Sequence, residues 1–513
     1  MTRSPFRAAH AANRALAGVL ALGAITIPLG LAAEIVVDTD QDTEIPDDGV
    51  TSLREAVTDA GASPGSDRIT FSAALAGATI LLGSQMEVAD PDFVIDGCEF
   101  RENDSRTSGG AIQLNDSEAT ITNSTFLLNE AGFGGAISIE GGPVTISHSV
   151  FEENRTPEGV GGAVYAFDAM EDLSASHCRF TDNQAESGGA IYFSAVFSSE
   201  IVDCLFERNS ALEQFGFPQG GGAVKLGTAR CTLHRCSLIG NRSEATGGAL
   251  SIDLAFELSA TNCTFADNEA RTNGGAIESN QSSPTFTHCT IHANRAGTGG
   301  GTYSRTGAIN LHNCVMAENT ATIDGDDAEG DIALRGTCFI GANDGNNVLG
   351  PPSAGPGQKN FRGQYIGTPE NPFDPRLAPL AVYRGDLPTL PPLPGSPLID
   401  SADPAYGLSV GVDDSQTDSD RDGSPDGEEL RNMTDSLSSA DYLRILAITP
   451  REAPAAVTVR WSSFPGLSYH LLESAALDFG NATVTTAGPA NDFTHELTVP
   501  RPALQSFFQV RRD

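Results

Sequence analysis

Lysine is nearly absent from this sequence, and aromatic residues are scarce. Of 513 residues only Lys225 and Lys359 are lysines, 7% are aromatic and one is tryptophan. Acidic residues outnumber basic ones by 67 to 30, which gives a formal net charge of −37. Such a chain repels the phosphates of nucleic acids and of anionic membranes, so neither is expected as a partner. The shortage of large rings disfavours a wide globular core and favours thin repeated layers.

Long apolar runs are absent beyond the N-terminus. Arg3, Arg7 and Arg14 precede an apolar stretch at 15–31, and small residues at 32–33 complete a cleavage site. This pattern predicts a signal peptide over residues 1–33. A retained membrane anchor is the alternative, but the run is short for a span. We therefore expect a secreted, cell-surface or outer-membrane-associated protein with no transmembrane span after cleavage.

Glycine, at 55 residues, is abundant and recurs in register. A Gly-Gly-Ala-(Ile/Val/Leu) tetrad begins at Gly109, Gly134, Gly161, Gly188, Gly221, Gly247 and Gly274. A column of asparagines keeps step with the tetrad, at Asn103, Asn129, Asn154, Asn183, Asn209, Asn241, Asn268, Asn294 and Asn319. Five residues before each asparagine lies a third column, which consists of Cys98, Ser124, Ser149, Cys178, Cys204, Cys236, Cys263, Cys289 and Cys314, with Cys338 continuing it. Three columns in step over nine copies indicate a structural repeat.

The alternation of side chains shows how each repeat is folded. Val144 and Ile146 share one parity, whereas Ser149 and Phe151 share the other, so the phase slips at His148. One extra residue reverses which side chains face inward. The slip therefore indicates a corner between two strands. The same slip occurs at Asn123, His177, Asp203, Arg235, Asn262, His288 and Asn313. The Gly-Gly pair makes another corner, since glycine tolerates backbone angles that other residues avoid.

These corners predict an all-β fold. We expect a right-handed parallel β-helix of about nine or more coils, with three short strands per coil, followed by a small C-terminal β-domain. The asparagines should hydrogen-bond along the axis. Exported proteins often pair their cysteines, but this chain has nine, an odd number, and eight share one register. We therefore expect buried free thiols.

Three segments resemble known families. The Gly-Gly-Ala-Ile and Phe-x-x-Asn pair, over about residues 98–320, resembles the repeats of polymorphic outer-membrane proteins. Residues 35–97, with Ser-Leu-Arg-Glu-Ala at 52–56, resemble the CSLREA domain, although Thr51 replaces that family's cysteine. Residues 374–403 resemble the choice-of-anchor Q module, with Arg384-Gly385 in place of its usual Gly-Gly. These resemblances imply an exported bacterial β-helix with a cap over its first coil.

The chain divides accordingly into six parts. They are a signal peptide at 1–33, a CSLREA-like cap and first coils at 34–97, β-helix repeats at 98–345, a choice-of-anchor Q-like segment at 346–412, a calcium-loop linker at 413–441 and a C-terminal β-domain at 442–513.

The sharpest chemical motif is D-x-D-x-D-G-x-x-D-x-x-E at 418–429. Carboxylates at this spacing converge on a hard cation, and the glycine makes the sharp turn between them. The motif resembles the calcium repeats of thrombospondin type 3 and dockerin-like segments. A flexible acidic linker is the alternative. We expect structural Ca²⁺ that stiffens the linker, with the ligands Asp418, Asp420, Asp422, Ser424 (through its carbonyl), Asp426 and Glu429.

Several polar residues at corners invite a catalytic interpretation. Asp203 and Arg235 occupy neighbouring corners, as do His148 and His177, and we expect both pairs to be structural contacts. The acidic loop at 324–331 is expected to be solvated. No catalytic or organic-cofactor residues are predicted.

The sequence favours a monomeric, non-catalytic scaffold that binds glycans or surface proteins. The alternative is a polysaccharide lyase or hydrolase with a divergent active site, because β-helices host such enzymes but a fold does not give a function. A cluster of titratable residues outside the repeated columns would favour the enzyme, and none is evident from the sequence. We expect the functional residues to lie in segments that interrupt the repeated columns, such as the loop at 213–220, or in the C-terminal region that follows the calcium loop.

Overall fold

A computed structural model describes most of the repeats and parts of their surroundings. The described residues are 34–45, 48–62, 68–75, 79–80, 86–88, 93–169, 172–212, 220–330, 332–335, 337–342, 353, 358, 360, 364–382, 386–393, 396–398, 445–451, 456–462, 468–474, 483–489, 494–500 and 507–512. The predicted signal peptide and the calcium loop lie outside them. Among the described residues, no helix is long and apolar enough to cross a membrane.

The repeats wind into coils whose strands stack in parallel sheets. Sheet 1 follows the Gly-Gly corner and contains Met86–Val88, Ile112–Asn115, Ile137–Glu140, Val164–Phe167, Ile191–Ser194, Val224–Gly227, Leu250–Asp253, Ile277–Asn280, Thr302–Thr306 and Ala328–Glu329. Sheet 2 contains Phe93–Asp96, Ala119–Thr122, Val144–Ser147, Asp172–Ser176, Ser198–Val202, Arg230–His234, Glu257–Thr261, Thr285–Thr287, Ile309–His312 and Ile332–Arg335.

Sheet 3 follows the predicted parity corner. It contains Thr79–Ile80, Glu99–Arg101, Thr125–Leu127, Val150–Glu152, Arg179–Thr181, Leu205–Glu207, Ser237–Ile239, Thr264–Ala266, Thr290–His292, Val315–Ala317, Phe339–Ile340 and Tyr365–Ile366. The sequence did not predict sheet 4, a further short sheet after the asparagine column. It contains Arg155–Val160, Gln184–Ser187, Ser210–Ala211, Arg242–Ser243, Glu269–Ala270, Arg295–Thr298 and Thr320–Asp324.

Both kinds of corner are confirmed. The eight residues at parity slips, from Asn123 to Asn313, have φ between 49° and 56°, in the left-handed region. At the other corner Gly134 has φ of 60°, and a Cβ there would lie 2.1 Å from the carbonyl oxygen of Ile137. A Cβ on Gly135 would lie 2.2 Å from the oxygen of Gly162 in the next coil. The Gly-Gly pair is therefore required both by backbone angle and by the closeness of adjacent coils.

The interior is built from continuous stacks of like residues. Phe100, Phe126, Phe151, Phe180 and Phe206 are fully buried, with successive ring centroids 4.8–5.0 Å apart. This spacing matches the separation of paired strands, so each ring packs on its counterpart in the next coil. All nine cysteines are buried and unpaired, as predicted. Burial raises the pKa of Cys98 and of Cys231 to about 12, which keeps these thiols protonated and unreactive.

A ladder of buried asparagine amides links the coils from Asn103 to Asn319. Each Nδ2 donates to Oδ1 of the next asparagine, over distances of 2.7–3.0 Å. The same Oδ1 accepts the backbone N–H of the preceding ladder residue, as Asn154 does from Asn129 at 3.1 Å. From Asn129 onward, Nδ2 also donates to a backbone carbonyl, as Asn154 does to Phe126 at 2.9 Å. Each asparagine side chain therefore makes all of its hydrogen bonds only when the neighbouring coils are in register.

The acidic loop at 324–331 is not a fully solvated loop, contrary to expectation. Asp327 is completely buried and takes the place of the next rung, accepting from the side chain of Asn319 at 2.8 Å. Its second oxygen accepts from the backbone N–H of Ala342. A carboxylate accepts without needing to donate, so it can end a ladder that an asparagine would have to continue.

At the N-terminal end, a short helix packs beside the first described strands. Ser52 and Glu55 form reciprocal bonds at the start of the helix Leu53–Ala62, with Ser52 N–H donating to Glu55 Oε2 at 2.9 Å. This capping box fixes where the helix begins. Arg54 makes two hydrogen bonds to Asp42, and Leu53 is buried. The strands Glu34–Val37 and Arg68–Phe71 pair in parallel, and Ala73–Leu75 forms a 3₁₀ turn.

Near the other end, the segment at Pro388 packs against the outside of sheet 3. The Ser237 hydroxyl donates to the carbonyl of Pro388 at 2.8 Å, although the two residues are 151 positions apart. The outward-facing Leu205, Ile239 and Ala266 around this contact are buried. Sheet 3 is therefore partly covered. Membership of the two flanking families stays a prediction.

The C-terminal region consists of antiparallel strands, in line with the predicted β-domain. Two three-stranded sheets are formed by Ile445–Arg451, Ala456–Ser462 and Thr494–Pro500, and by Ser468–Ser474, Thr483–Pro489 and Phe507–Arg512.

Replacing Asn209 by alanine tests the ladder. The change leaves the Phe180 carbonyl and the donors of Asn183 without their partner, and each unsatisfied buried group costs about 1–3 kcal/mol. We expect the free energy of unfolding to fall by about 3–6 kcal/mol, measured by urea denaturation. The control Thr232→Ala, at an exposed site on sheet 2, should change it by less than about 0.5 kcal/mol. Equal urea midpoints for the two variants would contradict the role given to the ladder.

Asp327 predicts a pH dependence of stability. Burial raises its pKa from 3.8 to about 7, against the effect of its hydrogen bonds. The folded state thus holds this proton more tightly than the unfolded chain does. The resulting stabilisation is complete below pH 4 and is lost as pH rises through 7, by up to about 4 kcal/mol. Melting temperatures from pH 4 to 8 should fall more steeply for wild type than for Asp327→Asn. Parallel curves would show that the carboxyl is ionised throughout.

Candidate functional site

The predicted calcium ligands lie outside the described residues. The structure therefore leaves Asp418, Asp420, Asp422, Ser424, Asp426 and Glu429 as a prediction from the sequence. Within the described part of the chain, no group of three or more His, Cys, Asp or Glu side chains is arranged to hold a metal ion.

The polar residues at the parity corners form cross-coil contacts, as predicted. Arg235 binds both carboxylate oxygens of Asp203 at 2.7 Å, and His177 Nε2 lies 3.6 Å from the same carboxylate. His148 and His177 stack with ring centroids 4.7 Å apart. These contacts extend the stacking of the interior to the surface.

The outer face of sheet 1 has a different character. One outward residue from each coil lies in a single paired column. We call it the sheet 1 column, and its members are Gln113, Ser138, Tyr165, Tyr192, Lys225, Ser251, Glu278, Tyr303 and Glu329. Each of these side chains directly follows a buried strand residue that points inward. Because successive side chains in a strand alternate between the two faces, the column residue points outward.

The N-terminal half of this face is aromatic. The ring of Tyr165 lies 5.3 Å from Phe133, 6.4 Å from Phe167 and 5.9 Å from Tyr192, measured between centroids. Phe133 and Phe167 are 44% and 41% exposed. Burial raises the pKa of Tyr165 to about 12, so its hydroxyl stays protonated and able to donate. Exposed contiguous rings of this kind mark binding surfaces more often than chance.

The column continues into a group of charged side chains that are nearly withdrawn from solvent. Lys225 Nζ donates to Ser251 Oγ at 3.0 Å, and Ser251 donates to Glu278 Oε2 at 3.0 Å. Arg305 Nε lies 3.7 Å from the other oxygen of Glu278. Lys225 is 8% and Glu278 3% exposed. Charged side chains on an outer face are rarely buried so deeply without a function or a full set of partners.

Burial also alters the titration of this group. Desolvation lowers the pKa of Lys225 and raises that of Glu278, while their mutual attraction opposes both shifts. Tyr192 is affected too, because its burial and the charge of Asp253 raise its pKa. Perturbed groups gathered at one place on a surface are a physical sign of a functional site.

A second outward row runs beside the column. Asp253 follows Ser251 by two residues, and its Oδ1 accepts from Asn280 at 2.9 Å. In the preceding coil the same position is Gly227, and a Cβ there would lie 3.5 Å from the Tyr192 hydroxyl. The missing side chain leaves room for the Tyr192 hydroxyl beside Gly227, in the coil before Asp253.

The loop expected to carry function, at 213–220, joins the sheet 4 strand Ser210–Ala211 to the Gly-Gly corner that begins at Gly221. Residues 213–219 lie outside the described residues. Gly220, directly after them, pairs with Thr246 in the next coil and accepts from Ser187. Five residues later comes Lys225, so the loop leaves the coil that carries the only lysine of the sheet 1 column.

The sequence contained a signal for this cluster that was not recognised. Its members are the residues that directly follow the Gly-Gly-Ala-(Ile/Val/Leu) tetrads, and these vary where the other columns repeat. Lys225, one of two lysines in the chain, stands at such a position. The titratable cluster that was not evident from the sequence is therefore present in the structure.

Comparison with known proteins agrees with the coil geometry. A sequence model of the family described as "Right handed beta helix region" matches residues 161–321. The chain is a right-handed parallel β-helix. The matched part of the β-helix includes Tyr165, the charged group and Tyr303.

Two individual proteins show more distant similarity. Metabotropic glutamate receptor-like protein P of Dictyostelium discoideum is 29% identical over 160 residues, which are 31% of this chain and 11% of that protein. Among solved structures, the enzymatically active domain of bacteriophage CBA120 tailspike protein 4 aligns over 90% of this chain and 64% of its own, with a TM-score of 0.29 and 12% identity. This chain spans about a tenth of the curated relative and less than two thirds of the solved one.

Proposed function

We propose that this protein is an exported or cell-surface β-helix that binds glycans along the outer face of sheet 1. The observation that carries the proposal is a group of aromatic rings in which the exposed Phe133 and Phe167 flank the half-buried Tyr165. The group continues through Tyr192 into polar and charged side chains. Sugar rings have apolar C–H faces that pack on aromatic rings, and hydroxyls that need polar partners. This face offers both kinds of contact side by side.

The other faces are less suited to this role. Sheet 3 is partly covered around Ser237 by the segment at Pro388. The outward residues of sheet 2 include short hydroxyl side chains such as Thr120, Thr145 and Thr232, which offer no ring to stack on. A linear polymer laid along sheet 1 would meet successive coils at intervals of about 4.8 Å, so a repeating ligand meets repeated contacts.

The charge distribution favours a neutral glycan. A formal net charge of −37 repels polyanions at long range, and within the site Asp253 and Glu278 offset Lys225 and Arg305. An N-terminal signal peptide would bring this face into contact with extracellular or envelope polysaccharide. The enzyme alternative, a polysaccharide lyase or hydrolase, is favoured by the titratable group of Lys225, Glu278 and Arg305 on the same face.

Substitutions at Tyr165 test the binding face. We expect wild type to bind neutral polysaccharides in preference to uronate polymers on a glycan array. Tyr165→Ala should weaken that binding about 10-fold or more, because a central aromatic contact contributes about 2 kcal/mol. The matched control is Phe256→Ala, which removes a 58% exposed ring that stacks on Phe197 at the corner before sheet 2. Equal losses for the two variants, or no glycan bound by wild type, would contradict the proposal.

We further propose that the loop at 418–429 binds one structural Ca²⁺ and stiffens the linker to the C-terminal strands. Isothermal titration calorimetry of the full chain should detect one site, and Asp418→Asn/Asp420→Asn should abolish it. Calcium should also slow proteolysis within residues 413–441 in wild type but not in the double variant. Absence of heat and of protection in excess calcium would reject the site.

A further inference from the structure

A lysine and a glutamate on sheet 1 share a single hydroxyl group. Register pairs Lys225 with Ser251 in the next coil, and Ser251 with Glu278 in the coil after that. Lys225 Nζ donates to Ser251 Oγ at 3.0 Å, and Ser251 Oγ donates to Glu278 Oε2 at 3.0 Å. The amine nitrogen and that carboxyl oxygen are therefore no farther apart than twice this distance.

The residue between them is small enough for the two side chains to meet. Lys225 and Glu278 lie two coils apart, so their Cα atoms are separated by about 9.6 Å. If an amide joined the two side chains, the Cα atoms would be connected by a chain of bonds, each about 1.3–1.5 Å long, that can bridge this separation. The short side chain of Ser251 leaves room for such a link to pass over it.

The surroundings of the pair exclude water. Lys225 is 8% exposed and Glu278 is 3% exposed. Register places Tyr192 beside Lys225 and Tyr303 beside Glu278, so an aromatic residue flanks the group at each end. Burial lowers the pKa of Lys225 and raises that of Glu278, and both changes favour the uncharged forms. A neutral amine next to a neutral carboxylic acid, away from water, is the arrangement that favours an amide.

We propose that Lys225 and Glu278 condense with each other to form an isopeptide bond, which ties together two coils of the β-helix across the coil between them. The burial that closes this group to a ligand favours the reaction, because every reacting group belongs to the chain itself. The proposal is therefore independent of glycan binding.

The hydrogen-bonded chain supplies the proton transfers. Ser251 passes one proton from the Lys225 ammonium to Glu278 Oε2, which leaves a neutral amine and a neutral acid. The Nζ lone pair then forms a bond to Cδ of Glu278. Arg305, whose Nε lies 3.7 Å from Oε1, stabilises the negative charge that develops on that oxygen. The bond from Cδ to Oε2 breaks, and Oε2 leaves as water after taking a second proton from Nζ. The products are one amide and one water molecule, and no other reactant is used.

The other carboxylate near the lysine is held elsewhere. Asp253 accepts from the side chain of Asn280 at 2.9 Å. Glu278, in contrast, accepts from Ser251 and from Thr246, the latter at 3.5 Å, and both contacts are to Oε2, the oxygen that leaves. Ser251 and Thr246 are thus positioning residues that direct the carboxyl toward the lysine.

An isopeptide bond would give the β-helix a covalent link of a kind that its cysteines do not provide. All nine cysteines are unpaired. A bond between residues 225 and 278 would close a long loop, and it would stabilise the fold as a disulfide does, by restricting the unfolded chain.

Peptide mapping of the full chain tests for the bond. Trypsin does not cut after an acylated lysine, so a linked Lys225 stays within peptide 209–230, whereas Asp253 falls in peptide 243–271 and Glu278 in peptide 272–295. We expect wild type to yield the first and third of these peptides joined, with the loss of one water molecule. Tandem mass spectrometry should assign the junction to Lys225 and Glu278.

Variants separate the chemistry from the fold. Lys225→Arg keeps the positive charge but removes the amine, so it should yield peptide 272–295 unlinked and should melt at a lower temperature than wild type. Ser251→Ala removes the proton relay and should slow bond formation about 100-fold or more. The rate is measured as the linked fraction at increasing times after a pulse of labelled synthesis. The control Ser194→Ala, on the same face but outside the group, should form the bond as fast as wild type does.

The decisive result comes from wild type and needs no variant to fold. Peptide 272–295 recovered entirely unlinked from folded wild type overturns the proposal. A link from Lys225 to peptide 243–271 contradicts the choice of Glu278. Equal rates of bond formation in Ser251→Ala and Ser194→Ala contradict the proton relay.

Discussion

The alignment of the coils depends on the asparagine ladder. Each buried amide in the ladder must find its hydrogen-bond partner in the next coil. Asn154 is satisfied by Asn129 on one side and Asn183 on the other, and neither contact survives a shift in register. The ladder therefore fixes coil alignment more strictly than apolar packing could, because apolar contacts are tolerant of sliding. It also explains why Asp327, which has no side-chain amide N–H that would need a further acceptor, stands at its end.

This constraint leaves one kind of position free to vary. Inward residues must stack, corner residues must adopt left-handed angles, and the Gly-Gly pair must remain small. Outward-facing strand residues are under none of these structural constraints. On sheet 1 they include aromatic rings, a lysine and carboxylates, in an order that does not repeat. Burying Lys225 and Glu278 on an outer face has a desolvation cost that lowers stability, and the β-helix fold does not require it. A binding or catalytic role accounts for that cost.

Much of the fold could be predicted because its determinants repeat. His148 and Asn123 revealed their corners through parity, and the cysteine column revealed its burial through register. Sheet 4 was missed because Ser210 and Ala211 form a strand too short to show alternation. Asp327 was misjudged because its partner Asn319 is close in sequence yet belongs to the ladder. The hydrogen-bonded chain from Lys225 through Ser251 to Glu278 was missed because it joins single residues from different coils, and no repeat in the sequence predicts it.

The central claim is that function resides on the outer face of sheet 1. The most direct measurement is a crystal structure of the protein with a bound oligosaccharide derived from a polymer it retains. We expect the sugar to lie along the coils over Tyr165 and Tyr192. Sugar bound instead along sheet 2, along sheet 3 or on the C-terminal strands would contradict it.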